Sequence, residues 1–407
     1  MDAVVQSVED NLLESLKFRL KPSASYVVDR RSVSYWPSGG DSYSPTGVKV
    51  IKIKMTGEQW ADPSTVKMMF DITNTNAADN DITPVVAGGW GMFRRMRVLA
   101  GGSLLEDIDE YNRLHEMFHM FKPTDKRTND SIEGFGSSVA IAQNKTRTIA
   151  FTPMSGLLSQ EKYLPIRNCA LEFEFELVSN ATDAFTGTTV AWQINNVQMK
   201  ADMITLDNTL DNEYTRYLLE GKPLPIHFTS YTHASQVIAQ LNSSVNVQRS
   251  LTRLKSVFVS MSNDDTGKKE VNDFWHPMAV ASGAYDYDKE LNFELQIGSK
   301  KYPEYPIRSV AEAYSQLRKA LGIHSNNAQM DIAATEYCSS KFVFAIDLEK
   351  VLQSSFSGFN SRAGDLLTLK LNKNNDAALA GTTTKLHYVL VYDVLMNIGF
   401  SGIDVLD

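Results

Sequence analysis

The stretch "RVLAGGSLLEDIDEYNRLHEMF", residues 97–118, decides the fold, because its order of features occurs twice in the chain. A strand-like run reaches a glycine turn and is followed by a helix-like run. The same order returns in "LQIGSKKYPEYPIRSVAEAYSQLRKAL", residues 295–321. An offset of 203 residues (314 − 111) aligns three apolar positions: Tyr111 with Tyr314, Leu114 with Leu317 and Phe118 with Leu321. This repetition indicates two copies of one unit.

The end of each half repeats as well. In the first half "LEFEFEL" precedes "WQINNVQM", and in the second half "LLTLKL" precedes "YVLVYDVLM". An offset of 197 residues (396 − 199) aligns Met199 with Met396, Val197 with Val394 and Ile194 with Val391. The shared order therefore extends over most of each half.

Short runs with alternating or β-branched residues fill the chain from Tyr26 onward, separated by Gly, Pro, Asn and Asp. Such runs are typical of antiparallel β structure. Predicted strands lie at 48–55, 65–73, 171–178, 190–199, 254–261, 291–298, 341–348, 366–371 and 385–396. Predicted helices are few and lie at 110–121, 212–220 and 310–321. An immunoglobulin sandwich usually needs only about 100 residues. Each half of this 407-residue chain is longer than that and fits a jelly roll better.

We therefore predict an all-β fold of two tandem eight-stranded jelly rolls with short insertion helices and an N-terminal amphipathic helix. Pro223 and Pro225 stiffen the predicted connection between the two units. The predicted division is an N-terminal arm at 1–25, a first jelly roll at 26–208, a link with a short helix at 209–225 and a second jelly roll at 226–407.

The N-terminal arm has apolar residues at a spacing of four, which is typical of an amphipathic helix. Its candidate contact residues are Val4, Val8, Leu12 and Leu16. The apolar face could pack on its own domain, on a neighbouring subunit or at a membrane surface. Packing on its own domain is the simplest of these three alternatives.

Composition narrows the class of protein. The chain has 407 residues, 43% of them hydrophobic, which is enough for large cores. A net charge of −8 disfavours extensive contact with nucleic-acid phosphates. The start of the chain lacks the pattern of a signal peptide or a membrane span, so synthesis in the cytosol is expected. Cys169 and Cys338 are too few for a disulfide framework.

"HEMFH", residues 115–119, has the H-E-x-x-H spacing of zinc proteases. A zinc protease needs a third ligand, but Pro123 ends the helix early, and the one candidate, Glu133, lies in a glycine-flanked loop. The repeat places Arg318 and Gly322 at the positions of the two histidines. We interpret His115, Glu116 and His119 as a decoy and predict no catalytic residue, no cofactor and no specific metal site, leaving incidental metal binding open.

Three other polar groups have simple interpretations. The acidic run Glu106, Asp107, Asp109 and Glu110 is interpreted as a solvated loop. The alternation in "LEFEFEL" predicts that Glu172, Glu174 and Glu176 lie on the exposed face of a strand. The basic group Arg94, Arg95 and Arg97 is interpreted as a solvated strand face.

With these features the chain resembles the double jelly-roll major capsid proteins of tailless icosahedral double-stranded DNA viruses. The family includes those of tailless bacteriophages, adenovirus-like viruses, virophages, polinton-like viruses and nucleocytoplasmic large DNA viruses. Three stretches are similar to family motifs: "MRVLAGGSLLEDIDEYNRLHEMF", "VQMKADMITLDNTLDNEYTRYL" and "ELQIGSKKYPEYP". At the junction only Glu213 and Arg216 remain of the acidic and arginine-rich run of giant-virus members. The compact length is more similar to the polinton-like members.

The resemblance implies a structural protein, not an enzyme. Homotrimers would form pseudo-hexagonal capsomers that tile an icosahedral shell, so the protein would reside in the virion. Expected partners are other copies, neighbouring capsomers, and penton and minor capsid or cement proteins. An internal membrane is a further candidate, and direct nucleic-acid binding is not expected. The alternative is a glycan-active enzyme or carbohydrate-binding protein on a paired jelly-roll scaffold.

Overall fold

The computed structural model describes residues 26–136, 140–263, 267–277, 291–323, 330–350, 358–362, 366–373 and 384–407. The predicted N-terminal helix, with Val4, Val8, Leu12 and Leu16, lies outside these residues. Two halves of similar architecture follow one another along the described chain.

The first half contains twelve strands among its described residues. They are β1 (Val27–Tyr35), β2 (Ser42–Tyr43), β3 (Val50–Met55), β4 (Trp60–Asn74), β5 (Thr83–Pro84), β6 (Phe93–Ala100), β7 (Ser103–Ile108), β8 (Thr146–Phe151), β9 (Leu164–Pro165), β10 (Leu171–Leu177), β11 (Phe185–Thr186) and β12 (Trp192–Leu206). Its helices are α1 (Tyr111–Met120), α2 (Thr124–Asp130), α3 (Gly156–Ser159) and α4 (Ala181–Ala184), with 3-10 turns at Gly89–Met92 and Ser131–Glu133. Helix α5 (Asn208–Leu219) leads into the second half.

The described part of the second half contains nine strands. They are β13 (Leu224–Ile238), β14 (Ser243–Val247), β15 (Leu254–Asn263), β16 (Leu291–Ile297), β17 (Lys300–Ile307), β18 (Val343–Asp347), β19 (Leu367–Lys373), β20 (Thr384–Ile398) and β21 (Ile403–Leu406). Its helices are α6 (Val310–Ala320) and α7 (Ala334–Tyr337), with a 3-10 turn at Glu270–Asn272.

Each half has two principal sheets with the same strand order. In the first half these are β1-β12-β4-β8, which β2 and β9 extend, and β3-β10-β6-β7. In the second half they are β13-β20-β15-β18, which β21 extends, and β14-β19-β16-β17. Four principal strands in each of two sheets make an eight-stranded jelly roll. The prediction of two tandem jelly rolls is therefore confirmed. The exact domain boundaries stay a prediction, and β13 begins at Leu224, inside the predicted link.

The glycine turns stand at equivalent places in the two halves. Gly101 and Gly102 join β6 to β7 with φ of 55° and 89°, and Gly298 follows β16 with φ of 60°. These left-handed conformations favour glycine because a Cβ would be strained there. The long insertion helix follows each hairpin, α1 after β7 and α6 after β17. This order confirms the repeat predicted from the two stretches.

The two sheets of each half enclose its core. In the first half the ring of Phe70 on β4 contacts that of Phe93 on β6, with centroids 5.7 Å apart. In the second half Phe293 on β16 stacks on Phe344 on β18 at 3.6 Å. Alternate residues of β3 are buried and exposed, as expected for a sheet with one solvated face.

The single offset of 197 does not hold along the whole of β12. A β-bulge between Asn195 and Gln198 adds one residue, and Asn196 has a φ of 50° there. Ile194 lies opposite Ile72 on the core face, whereas Val391 lies opposite Tyr231, whose ring faces the first half. The alignment of Ile194 with Val391 is therefore wrong by one position.

Candidate functional site

The main structural site is the contact between the two halves, and α1 lies at its centre. Besides its apolar residues, this helix buries four polar ones: Asn112, Arg113, His115 and His119. The helix is covered on one side by its own β6 and on the other by the second half. In α6, by contrast, the buried residues are Ala313 and Leu317.

Arg113 enters the second half from α1 and is 1% exposed. Its Nη1 donates to the carbonyl oxygens of Glu270 and Asp273, the latter at 2.7 Å. Its Nη2 donates to Ser260 Oγ at 3.0 Å, and the guanidinium lies 4.4 Å from the ring centroid of Phe274. Burial lowers the pKa of Arg113 to about 10. A buried guanidinium needs such acceptors, so this residue fixes the two halves against each other.

Glu106 on β7 is a second buried polar group at the contact, with 1% exposure. Its carboxyl accepts hydrogen bonds from Ser155 Oγ, from the Gly156 N–H at 2.9 Å and from Ser230 Oγ on β13 at 3.0 Å. Burial raises the pKa of this carboxyl, and the three donors partly oppose that shift. The interpretation of residues 106–110 as a solvated loop is wrong for Glu106, because the second half covers this strand.

Close packing completes the contact. A Cβ on Gly156 would lie 1.8 Å from the carbonyl oxygen of Thr229 on β13, so only glycine fits. The ring of Phe118 lies 5.4 Å from that of Tyr231 and 5.3 Å from that of Phe258. These contacts bury the outer face of the β13-β20-β15 sheet.

A buried histidine pair lies in the same outer face. His233 Nε2 lies 3.2 Å from His387 Nδ1, and His387 Nε2 lies 2.9 Å from Ser262 Oγ. Burial, with a smaller effect of Arg113, lowers the pKa of His233 to about 3 and that of His387 well below its usual value. Both rings are therefore neutral at physiological pH. Sequence reasoning missed this polar cluster, because its members lie on separate strands.

The H-E-x-x-H residues pack around Trp90. The His115 ring stacks on Trp90 with centroids 4.2 Å apart, and His119 lies 4.7 Å from the same indole. The Trp90 Nε1–H donates to Glu116 Oε2 at 2.9 Å, and the Tyr111 hydroxyl lies 3.1 Å from His115 Nδ1. Burial lowers the pKa of His119 to about 4 and raises that of Glu116. The three motif residues thus serve as packing and hydrogen-bonding groups.

A cavity of about 370 Å³ opens beside this motif. Glu133, the candidate third ligand, lies at its wall but forms an ion pair with Lys67. Within the described ranges no group of three or more His, Cys, Asp or Glu side chains could hold a metal ion. The absence of a specific metal site stays a prediction, for which this geometry supplies a physical reason.

The three glutamates of "LEFEFEL" are less exposed than predicted. Glu172 and Glu176 are half-buried, and Glu174 is buried at 7% exposure. Glu174 lies between two basic side chains of the neighbouring strands, with ion pairs to Lys52 and, at 2.6 Å, to Arg97. The prediction of an exposed face is therefore wrong for Glu174, because long basic side chains cover it. Cross-strand charge pairing of this kind stabilises a sheet.

The remaining polar and aromatic candidates do not meet in one groove. Arg94, Arg95 and Arg97 are half-buried, and each forms an ion pair with a carboxylate of the first half. Trp36 is 62% exposed, while the other four tryptophans are buried or half-buried. The five tryptophans therefore do not form one exposed aromatic surface.

Across the described residues, no helix is long and apolar enough to cross a membrane.

Comparison with known proteins identifies the fold. No protein-family model and no curated protein matches the chain. Solved structures do match: VP54 of the virus PBCV-1 has a TM-score of 0.63 and 11% identity over 95% of this chain and 98% of that chain. The Faustovirus major capsid protein has a TM-score of 0.61 and 8% identity over 95% and 94%. A chain of the Sputnik virophage structure has a TM-score of 0.57 and 10% identity over 96% and 90%.

At these identities the comparison establishes the fold. Together with the strand order, it shows that the chain has the double jelly-roll fold found in these viral capsid structures.

Proposed function

We propose that this protein is a viral major capsid protein whose copies assemble into trimeric, pseudo-hexagonal capsomers. The observation that carries this proposal is the presence of two jelly rolls with the same strand order in one chain. Three such chains supply six similar units, which suit a position of sixfold symmetry in a shell. The fold match to viral capsid structures over nearly the whole chain supports the same function.

The proposed assembly is physically consistent with the exposed strands. Strand β1 pairs with β12 and has no second partner strand among the described residues, and its residues 27–32 are exposed. Exposed edges favour association with other chains. Head-to-tail contacts between identical chains close into rings when the rotation allows it. Ring formation would cover surfaces that a single chain leaves open.

The proposal extends to location and partners. The capsomers would tile an icosahedral shell, so the protein would reside in the virion after synthesis in the host cytosol. Its partners would be other copies, neighbouring capsomers, and penton and minor capsid or cement proteins. The N-terminal arm, with Val4, Val8, Leu12 and Leu16, would contact one of these partners or an internal membrane. Direct binding to nucleic acid is not part of the proposed role.

We propose a structural role without catalysis. Two carboxylates that an enzyme could use as acid or base are already bound to other groups: Glu174 forms ion pairs with Lys52 and Arg97, and Glu116 accepts a hydrogen bond from Trp90. We also propose that residues 26–208 and 226–407 act as the two ring units and that 209–225 link them. Helix α5, capped by the Asp207 side chain accepting from the Thr209 N–H at 3.0 Å, lies mostly in that link.

Native mass measurement of the purified full chain tests the proposed function. A stable species of three times the chain mass of 45.4 kDa is expected. Electron microscopy of the same sample should show particles with a hexagonal outline. A monomer that retains zinc through dialysis would contradict the proposal and favour an enzyme.

A further inference from the structure

Lys255, Asp393 and Glu349 form a mostly buried group of charged side chains where β15 begins beside β20. The Lys255 Nζ lies 3.0 Å from Glu349 Oε1 and 3.6 Å from Asp393 Oδ1. Asp393 is 4% exposed, and the side chains of Lys255 and Glu349 are 19% and 16% exposed. An amine, a carboxyl group that it can attack and a second carboxylate that can carry protons are the groups that an amide bond between side chains requires.

A β-bulge brings Lys255 to this position. The register of β15 with β20 shifts between Leu254 and Ser256, so Lys255 is the extra residue. Bulges commonly redirect a side chain. The carbonyl oxygen of Lys255 accepts from the Leu348 N–H at 2.7 Å, which places the next residue, Glu349, beside it. The main chain thus holds the amine and the second carboxylate together.

The carboxyl group of Asp393 is oriented through one of its two oxygens. The Asp393 N–H donates to the carbonyl oxygen of Arg253 at 3.1 Å, which fixes the main chain. Thr229 Oγ1 on β13 donates to Asp393 Oδ1 at 2.8 Å. Asp393 Oδ2 is buried and has no hydrogen-bond partner among the described residues. Because a buried oxygen without a donor is costly, this group is an incompletely satisfied ion pair.

We propose that the Lys255 Nζ and the Asp393 carboxyl group join in an amide bond, with Glu349 as the catalytic base. The bond makes β15 and β20 one covalent unit. It lies within a single chain, so it forms whether or not copies assemble. It is therefore independent of the proposed capsid function.

The bond forms by condensation. The Lys255 Nζ attacks Asp393 Cγ, and the ammonium group loses two protons. Glu349 carries both protons to Asp393 Oδ2, and the Cγ–Oδ2 bond breaks to release one water molecule. Oδ1 holds the negative charge during the attack, stabilised by the hydrogen bond from Thr229, and becomes the amide oxygen. The reaction uses no oxidant and no further reactant.

Two features favour the amide over the ion pair. Holding the amine against the carboxyl group raises their effective concentration far above that of free groups in solution. The reaction also replaces two buried charges with one neutral amide, which removes their desolvation cost. Asp393 is the residue attacked, because Thr229 orients its carboxyl group and Oδ2 is free to leave. Glu349 is more exposed and serves as the base.

Mass spectrometry of the purified full chain in denaturant tests the bond. The intact chain should be lighter than its sequence mass of 45.4 kDa by one water molecule. Trypsin should release one branched peptide, in which 254–268, uncut after Lys255, is linked to 386–407. A chain of full sequence mass would overturn the proposal. A water loss located elsewhere in the digest, or a link from Lys255 to 342–350, would also overturn it.

Matched variants identify the reacting groups. Lys255→Arg keeps the positive charge but cannot form the amide, so it should have its full sequence mass. Glu349→Gln removes the base and should form the bond about a hundredfold more slowly or not at all. Lys301→Met is the control, because Lys301 forms an ion pair at 3.2 Å with the buried Glu294 in a different sheet, and it should retain the water loss.

Circular dichroism establishes that each variant folds, and the wild-type mass decides the question even if a variant does not. A water loss that persists in Lys255→Arg would refute the bond. Normal bond formation in a folded Glu349→Gln variant would refute the role of Glu349.

Discussion

At the scale of single residues, Arg113 shows what a sequence pattern cannot supply. Its place on α1 is predictable from the apolar spacing, but its burial depends on a surface more than 100 positions away in the chain, at Ser260 and Asp273. Nothing local to α1 distinguishes an arginine that points to water from one that enters a neighbouring unit. Glu106 was predicted to lie in a solvated loop and is buried, because the second half, distant in sequence, covers it.

Replacing Arg113 with alanine should lower the free energy of unfolding by about 3 kcal/mol, because several buried carbonyl and hydroxyl groups lose a charged donor. Chemical denaturation of the purified variant measures this change. The matched control is Gln316→Ala at the equivalent position of half-buried α6, with an expected change under about 0.5 kcal/mol. Equally small changes at the two positions would show that the contact between the halves contributes little to the free energy of unfolding.

Glu110 should make stability depend on pH near neutrality. Burial, together with the nearby Glu270 and Asp109, raises the pKa of its carboxyl from 4.5 to about 7, and Arg94 and Lys385 oppose this shift. The folded state therefore holds a proton that the unfolded state releases. The resulting stabilisation is complete below about pH 4.5 and is lost as the pH rises through about 7.

The variant Glu110→Gln removes this dependence. It should be more stable than the wild type at pH 8, by about 1–3 kcal/mol, and nearly equal to it at pH 4.5. Thermal melts at the two pH values measure the difference. Asp79→Asn is the control, because Asp79 is exposed and is not one of the charges that shift the pKa of Glu110. A Glu110→Gln variant that is less stable at pH 8 would show that the carboxylate is stabilised there.

At the scale of elements, periodicity predicted most of the structure. The runs at 254–261, 291–298 and 385–396 became β15, β16 and β20, and the helix at 310–321 became α6, with ends shifted by one or two residues. Strands with alternating or continuous apolar residues are easily recognised. The sequence marks strand β13 less clearly, because polar residues interrupt its apolar pattern at "FTSYTHAS". Ser230 and His233 of this strand form hydrogen bonds inside the contact between the halves, with Glu106 and His387. The local sequence does not reveal these partners.

The double variant His115→Gln with His119→Gln tests the H-E-x-x-H motif of α1, whose spacing is that of zinc proteases. Loss of the aromatic stack on Trp90 should reduce stability by about 1–2 kcal/mol, while the oligomeric state remains that of the wild type. Sedimentation and metal analysis after dialysis measure both properties. Glu116→Gln is the control, because its amide oxygen still accepts from Trp90. Loss of bound zinc together with a measurable activity would show that the motif is a genuine metal site.

At the scale of the whole molecule, the two halves should stay together when the chain between them is cut. A protease site inserted between Gly221 and Lys222 lies in an exposed segment between α5 and β13. After cleavage the two fragments should elute as one species in size-exclusion chromatography, since buried polar groups and packed rings join them.

The same cleavage in the Arg113→Ala background provides the comparison. Its fragments should separate at a lower denaturant concentration than those of the cleaved wild type. Separation of the wild-type fragments in buffer alone would contradict a tight contact between the halves. This experiment concerns contacts within one chain and is independent of how copies assemble.

The tandem architecture was predictable from sequence, but the way in which the halves meet was not. Repeated motifs such as the glycine turns at Gly101 and Gly298 revealed two units, because each turn depends on local backbone geometry. The contact depends on which surface of one unit faces the other, and the residues involved are chemically ordinary. Structural information was required to show that α1 and α6, alike in pattern, have different surroundings.

The double-sided burial of β20 has a consequence for synthesis. Its residues 384–398 are almost all buried. The strand would therefore be prone to aggregation if it emerged before the first half had folded to cover it. Translation produces the first half before β20 leaves the ribosome, and domains fold in that order. The surface that shields β20 is therefore in place when the strand appears. A gene rearranged to encode the second half first would lose this protection and give a chain that aggregates during its own production.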